Sequence, residues 1–306
     1  MTLLRRRQWL ALTGSALLTA CSGGRSHLAV QSGLLPSPWL RRLPRDWSVE
    51  PLELDDHWPP LGGQARSVVL SDGWATASAA PPWQPLPAGL WQQGLLPQAA
   101  PLLRYGLPLG FGPWLLLLRN RQDLLAGGGH QRGWKLLLDP SLQGQLLLPA
   151  SPRVVLDIAS RIGDPQAVLE QLRRQALGFG DRDALTLLLN GDAQAAVLPS
   201  RAVLPQLRRD TRLQALLPAS GAPLWWSLLV LPRGGQLPPV DWLLASRQTP
   251  LLDQLLRDGF TPPLQRPLLQ NALQRQSHPQ LLLPPEPLLQ RCTTLLPSAP
   301  EPAARR

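Results

Sequence analysis

Twelve tryptophans stand against one tyrosine and three phenylalanines in this chain of 306 residues, and they are its most distinctive chemical groups. An indole offers a broad apolar face that stacks on extended ligands and attracts cations. Trp74 closes the segment Ser71-Asp72-Gly73-Trp74 behind a compact apolar run, and the pair Trp225-Trp226 opens another run that ends at Leu231. Polar groups lie beside them. Asp72 could accept a cation, Ser151 and Ser227 could offer hydroxyls, and Arg153 stands just inside a predicted helix start. There its guanidinium could hold an anion or pair with Asp157 one turn along. Tryptophans such as Trp39, Trp134 and Trp242 read instead as core or boundary residues.

Catalytic chemistry is harder to find. His27, His57, His130 and His278 are isolated in sequence and fall in no metal-ligand or catalytic spacing, so they read as structural or surface residues. Gly127-Gly128-Gly129 is not followed by Lys-Ser or Lys-Thr, which a phosphate loop needs. There is no Gly-x-Ser-x-Gly elbow and no acid pair suited to glycoside hydrolysis. The expectation is no enzyme, no cofactor and no metal.

The elements that must position these groups alternate in type. Strands are expected at Leu28 to Gln31, Ser48 to Leu54, Arg66 to Leu70, Leu115 to Leu118, Leu146 to Leu148 and Trp225 to Leu231. Ser71 to Trp74 reads as a turn at a strand's carboxyl end, where open α/β sheets place their ligands. Gly110-Phe111-Gly112-Pro113 reads as a loop running into the strand from Trp114, a place where the chain could change lobes. Ser151-Pro152 and Asp164-Pro165 each combine an N-cap residue with proline at the first helical position, and Gly163 stops the first of the two helices. Further helices are expected at Pro38 to Leu43, Ala202 to Arg208, Val240 to Ser246 and Pro250 to Asp258, the last closed by Gly259.

The first 21 residues describe a destination. Arg5, Arg6 and Arg7 lead into an apolar stretch from Trp9 to Leu18, about half the length a spanning helix needs, and Leu18-Thr19-Ala20-Cys21 matches a lipobox. Residues 1–20 therefore read as a lipoprotein signal, Cys21 as the lipidated residue and 21–26 as a tether. The competing reading is an amphipathic N-terminal helix with a chance cysteine. Arg6-Arg7-Gln8-Trp9-Leu10 also resembles a twin-arginine motif without its usual preceding Ser or Thr, so twin-arginine and general export both stay open.

Composition limits the partners. With Cys21 acylated, Cys292 is the only thiol left, and neither a disulfide nor a cysteine metal cluster can form. The formal charge of +10 falls to +7 when the three signal arginines leave. The arginines are scattered rather than gathered in a stripe with interleaved aromatics, which argues against nucleic acid as a partner.

Four segments, in order, resemble the spermidine/putrescine-binding proteins of ABC importers, within the extracellular solute-binding protein family. Trp134 to Gln145 (Trp134-Lys135-Leu136, then Asp139-Pro140 and Gly144) is similar to that family's W-x-x-L-W-x-P-x-x-K-G-x segment. Ser151-Pro152-Arg153-Val154-Val155 lies at its acid-x-R-E-V helix start, and Gly191-Asp192-Ala193 resembles its G-E-V strand entry. Pro218 to Ser227 followed by Leu231-Pro232 resembles P-x-x-G-x-x-x-W-x-D followed by I-P. More weakly, Val68 to Trp74 and Leu107 to Gly112 resemble the strand ending in an aromatic and the hinge approach.

The resemblance implies an α/β, two-lobed periplasmic binding protein-like fold of type II, each lobe a mixed sheet flanked by helices. It implies lobe 1 from residues 27–113 with 226–265 and lobe 2 from 114–225 with 266–306. It also implies a small solute such as a polyamine closed between the lobes, an ABC permease as partner, and a periplasmic protein held to the membrane through the N-terminal lipid. Trp74, Phe111, Ser151, Arg153, Trp225 and Ser227, which match motif positions, together with Asp72 and Trp226, read from the residues themselves, make up the expected ligand-binding set. The family's acids fall on Ser151, Val154, Ser227 and the region of Leu35, which leaves Asp72 as the carboxylate near the inferred cleft. That replaced acid set supports a second expectation, a two-lobed lipoprotein that has lost ligand transport and acts as a structural or protein-interaction module.

Overall fold

The computed structural model of this protein describes residues 26–53, 65–77, 83–86, 94–126, 128–180 and 183–297. The signal, Cys21 and His57 lie outside the described residues. Among the described residues, short apolar runs form ten strands: β1 (Ser26–Gln31), β2 (Trp47–Leu52), β3 (Ala65–Ser71), β4 (Leu107–Arg119), β5 (Leu146–Leu148), β6 (Ala176–Phe179), β7 (Ala195–Pro199), β8 (Leu213–Leu216), β9 (Pro223–Val230) and β10 (Thr293–Thr294).

The strands join in the order β2-β1-β3-β9-β4-β7-β5-β6, with β10 on β9 and β8 on β4. β1 is parallel to both β2 and β3, while β5 is parallel to β6 and β7. Two antiparallel strands tie these parallel groups together. β4 pairs with β9 from Leu107 to Pro113, then changes partner, so that Trp114 to Leu118 pair with β7 and Leu116 to Arg119 with β8. The change falls between Pro113 and Trp114, opposite the start of β9 at Pro223 and Leu224.

Burial explains why the inner runs are almost wholly apolar. Leu28, Ala29 and Val30 are all buried, as are Leu115 to Leu118, because a core lies on each side of these strands. Along β4 the side chains alternate between two cores: Leu116 and Leu118 enter one, Leu115 and Leu117 the other. A register shift between Pro108 and Gly110 reverses the alternation, so that Leu107 and Leu109 share a core while Phe111 enters the opposite one.

Two expectations are corrected here. Gly110 to Pro113 is not a loop; it is the middle of β4. A Cβ on Gly110 would collide with the Phe260 ring, and one on Gly112 would collide with the Ser200 hydroxyl, so these glycines mark close packing rather than a turn. Ser71 to Trp74 is not an open turn either, because Asp72–Ala75 coils into one helical turn directly after β3, closed by the Thr76 amide and hydroxyl on the Asp72 carbonyl (3.0 and 2.7 Å).

The paired Pro-initiated helices form as Pro152–Ile162 and Pro165–Gln175. Their caps differ. Asp164 accepts the Ala167 amide at 3.0 Å, whereas the Ser151 side chain makes no capping bond. Asp164→Ala is therefore expected to cost about 1 kcal/mol, and Ser151→Ala less than about 0.5 kcal/mol, in paired urea melts. Equal costs would show that Ser151 caps its helix in solution.

Beyond Gly259 the described chain adds three helices, Arg266–Leu273, Pro279–Leu282 and Glu286–Leu289. The first packs on Leu251–Arg257, and the second on β4 and Ser200–Leu207. The Thr261 hydroxyl bonds the Leu282 carbonyl at 3.1 Å, which ties the two groups together.

Candidate functional site

All six parallel strands of these two groups send their carboxyl ends to one place. Gln31 to Leu34 follow β1, Leu52 and Glu53 end β2, and Ser71 to Trp74 end β3 on one side. Ala150 to Val154 follow β5, Phe179 and Gly180 end β6, and Pro199 with Arg201 ends β7 on the other. Between them lies a cleft of about 1460 Å³, floored by Trp114 and by Leu224 to Trp226 of the crossing strands. Carboxyl ends of parallel strands are where open α/β sheets form their crevices, because the chain must leave the sheet there in loops and helix starts.

The walls are mixed. Trp74 is half-buried and Trp225 is 5% exposed, and both line the cleft. The Trp225 indole donates to the Ser200 hydroxyl at 3.1 Å, and the Arg201 guanidinium lies 5.4 Å from its ring centre. Leu177 and Phe179, about half exposed at 47% and 51%, form an apolar strip along the edge strand β6.

The charged groups do not sit as the sequence suggested. Asp72 is buried and accepts Arg153 Nη2 at 3.1 Å and the Trp226 amide at 3.3 Å. Burial pushes its carboxyl above the ordinary range, against the lowering effect of the Arg153 charge and the Trp226 amide. Arg153 thus reaches across the cleft rather than along its own helix. Asp157 is taken by Arg161 at 2.6 Å, so the Arg153–Asp157 pair, one of the two readings offered for Arg153, does not form.

Of the eight residues of the expected set, Asp72, Trp74, Ser151, Arg153, Trp225 and Trp226 meet at the cleft. Trp226 is nonetheless fully buried, stacked on Phe111 with ring centres 5.1 Å apart. Phe111 and Ser227 are fully buried and do not line the cleft. Three charged residues that sequence reasoning passed over do line it: Glu53, Asp183 and Arg201. Asp72 is therefore not the lone carboxylate there. Glu53 was hidden because the strand was expected to run on to Leu54, whereas β2 ends at Leu52 and releases Glu53 at the cleft.

His27 is held by Ser48 (2.7 Å) and Glu50 (2.9 Å) at the outer strand pair. Both partners use the same ring nitrogen, Nδ1, which leaves no relay geometry. Among the described residues no group of three or more His, Cys, Asp or Glu is placed to hold a metal, and no helix is long and apolar enough to cross a membrane.

No family model matches this sequence, and no curated protein matches it either. Solved structures match well. A spermidine/putrescine ABC transporter protein from Listeria monocytogenes superposes with TM-score 0.66 at 15% identity, covering 89% of this chain and 92% of the other. The TpPotD lipoprotein of Treponema pallidum gives 0.62 at 13% identity, covering 89% and 93%. The fold is that of a type II periplasmic binding protein.

This binding-protein fold also carries other activities. Thiaminase I from Bacillus thiaminolyticus superposes at 0.59 with 14% identity, covering 88% of this chain and 93% of its own, so the fold alone does not separate binding from catalysis. Two of the segments that carry the sequence resemblance are joined in space. The Trp134 indole donates to the Gly221 carbonyl at 2.8 Å, locking the Trp134 segment onto the approach to β9.

Proposed function

We propose that this is an exported, lipid-anchored, periplasmic solute-binding protein that captures a small solute between two lobes and presents it to the permease of a polyamine-type ABC importer. The observation that carries the reading is the convergence of six strand ends, from two separate parallel groups, on one cleft. Trp74 and Trp225 would form apolar walls, with Ser151 as a polar contact and Glu53 and Asp183 as the carboxylates placed for an ammonium. The reading calls for no cofactor, and binding rather than catalysis is the role. The lobe division proposed from sequence, 27–113 with 226–265 and 114–225 with 266–306, draws support at 113/114 from the change of β4 partner. The packing of Arg266–Leu273 on Leu251–Arg257 speaks against placing all of the last segment in lobe 2.

Tryptophan fluorescence tests the ligand claim. Titration with putrescine, spermidine, amino acids and small organic anions is expected to give a saturable change with at least one of them, since Trp74 and Trp225 border the cleft. Silence across the set would sink solute binding. It would favour the second reading, a two-lobed lipoprotein acting as a structural or interaction module, for which the closure of Asp72 by Arg153 already speaks. For the anchor, Cys21→Ala is expected to move the protein from the membrane fraction to the soluble one; retention in the membrane would remove the lipobox reading.

A further inference from the structure

Arg153 and Asp72 come from opposite sides of the cleft. Asp72 begins the helical turn after β3, and Arg153 begins the helix Pro152–Ile162 after β5. Asp72 is 6% exposed, so its carboxylate, if ionised and unpaired, would cost several kcal/mol. Its side-chain counter-charge is the guanidinium, at 3.1 Å. That guanidinium is fixed from two further directions. Nη1 donates to the Leu295 carbonyl at 2.7 Å, and Nη2 lies over Gly73, where an added Cβ would come within 3.0 Å. A second bridge runs beside it, from Arg201 to the Gly33 carbonyl at 2.7 Å.

We infer that Arg153 is a resident counter-ion: it occupies the buried carboxylate of the opposite lobe, latches the cleft, and keeps the ammonium of a cationic solute away from Asp72. The inference takes the cleft as the solute site, as proposed above, yet the latch itself is a property of the protein alone. A tethered guanidinium needs no association entropy to reach Asp72, so a free cation competes at a disadvantage. Selectivity at this point of the cleft is then exerted by exclusion.

Hydrogen exchange at the Trp226 amide, which donates to Asp72, reads the latch directly. Arg153→Met is expected to speed that exchange at least about tenfold, the scale of losing one close charge pair. Arg153→Lys keeps the charge and should lie between wild type and Arg153→Met. Putrescine at millimolar concentration should slow the exchange again in Arg153→Met and have no effect in Arg153→Met/Asp72→Asn. Unchanged exchange in Arg153→Met overturns the latch. Putrescine protecting the double variant as well, or failing to protect Arg153→Met, overturns the exclusion. None of these results depends on the natural solute, so the fluorescence titration above can fail or succeed separately.

Discussion

Gly110→Ala is expected to destabilise the protein by roughly 3 kcal/mol, the upper end of what overpacking costs. The backbone at Gly110 does not have positive φ, so the penalty is steric rather than torsional. A Cβ there would fall within the contact distance of the Phe260 ring, which is 1% exposed. That ring cannot swing aside. It meets Trp39 edge-on at 5.8 Å and lies tilted against Trp225 at 6.1 Å, and Trp39 is itself stacked on Trp242 at 5.0 Å. The displaced element would be β4, the strand that pairs with both β9 and β7, so the strain reaches both parallel groups. Urea midpoints of Gly110→Ala, Phe260→Ala and the double variant check the mechanism. Phe260→Ala alone is expected to cost about 3–5 kcal/mol by leaving a cavity, which the methyl introduced by Gly110→Ala would partly fill. The double variant should therefore cost clearly less than the sum of the two singles; simple additivity would show that Phe260 is not the obstacle.

Gly110 also shows where sequence reading stops. Glycines bounding an aromatic and a proline read as a loop because local chemistry offers turn residues, and nothing local announces a ring arriving from position 260. The short apolar runs, by contrast, were legible. Strands buried on both faces must be apolar throughout, and the runs at Leu28, Leu115, Leu146 and Trp225 have no other use. Helix starts were legible for the same reason, since Pro152 and Pro165 are preorganised for a first turn.

The cleft was half legible. Strand-end logic located Asp72 and Trp74, but it missed Glu53 because the second strand was expected to continue to Leu54, two residues past the end of β2. Charge pairing was not legible. An arginine on a helix has a partner of opposite sign one turn away in Asp157, but Asp157 is claimed by Arg161, and Arg153 finds its partner 81 residues away in sequence. Phe111 and Ser227 do not line the cleft: Phe111 lies in the core opposite the one that Trp225 enters, and Ser227, on the same face of β9 as Trp225, is fully buried. Trp225 points its indole to Ser200 at the cleft, while Phe111 and Trp226 stack in the opposite core.

Trp39→Ala is the second change with a large expected effect, about 3–5 kcal/mol, which shifts the folding equilibrium by roughly two to four orders of magnitude. Trp39 and Trp242 stack and exchange hydrogen bonds: the Trp39 indole donates to the Trp242 carbonyl at 3.0 Å, and the Trp242 indole donates to the Trp39 carbonyl at 3.1 Å. These two residues, 203 apart in sequence, join the helix Ser37–Leu40 to the helix Val240–Ala245. Deleting the indole removes the largest buried surface at the junction and also leaves the Trp242 carbonyl without this donor. Trp39→Phe separates the two losses, because it keeps a ring for stacking and forfeits only the donated bond, at about 1–3 kcal/mol for a buried carbonyl left unpaired. The junction shares its core with Leu34, which lines the cleft next to Gly33, the residue whose carbonyl receives Arg201. Trp39→Ala is thus expected to weaken any saturable solute response as well as the fold, with Trp39→Phe intermediate in both. Thermal melts and the fluorescence titration, run on the same three proteins, check the two together. A cost below about 1 kcal/mol for Trp39→Ala would mean that the reciprocal indole bonds do not hold this junction, because truncating a packed, doubly bonded indole cannot be that cheap.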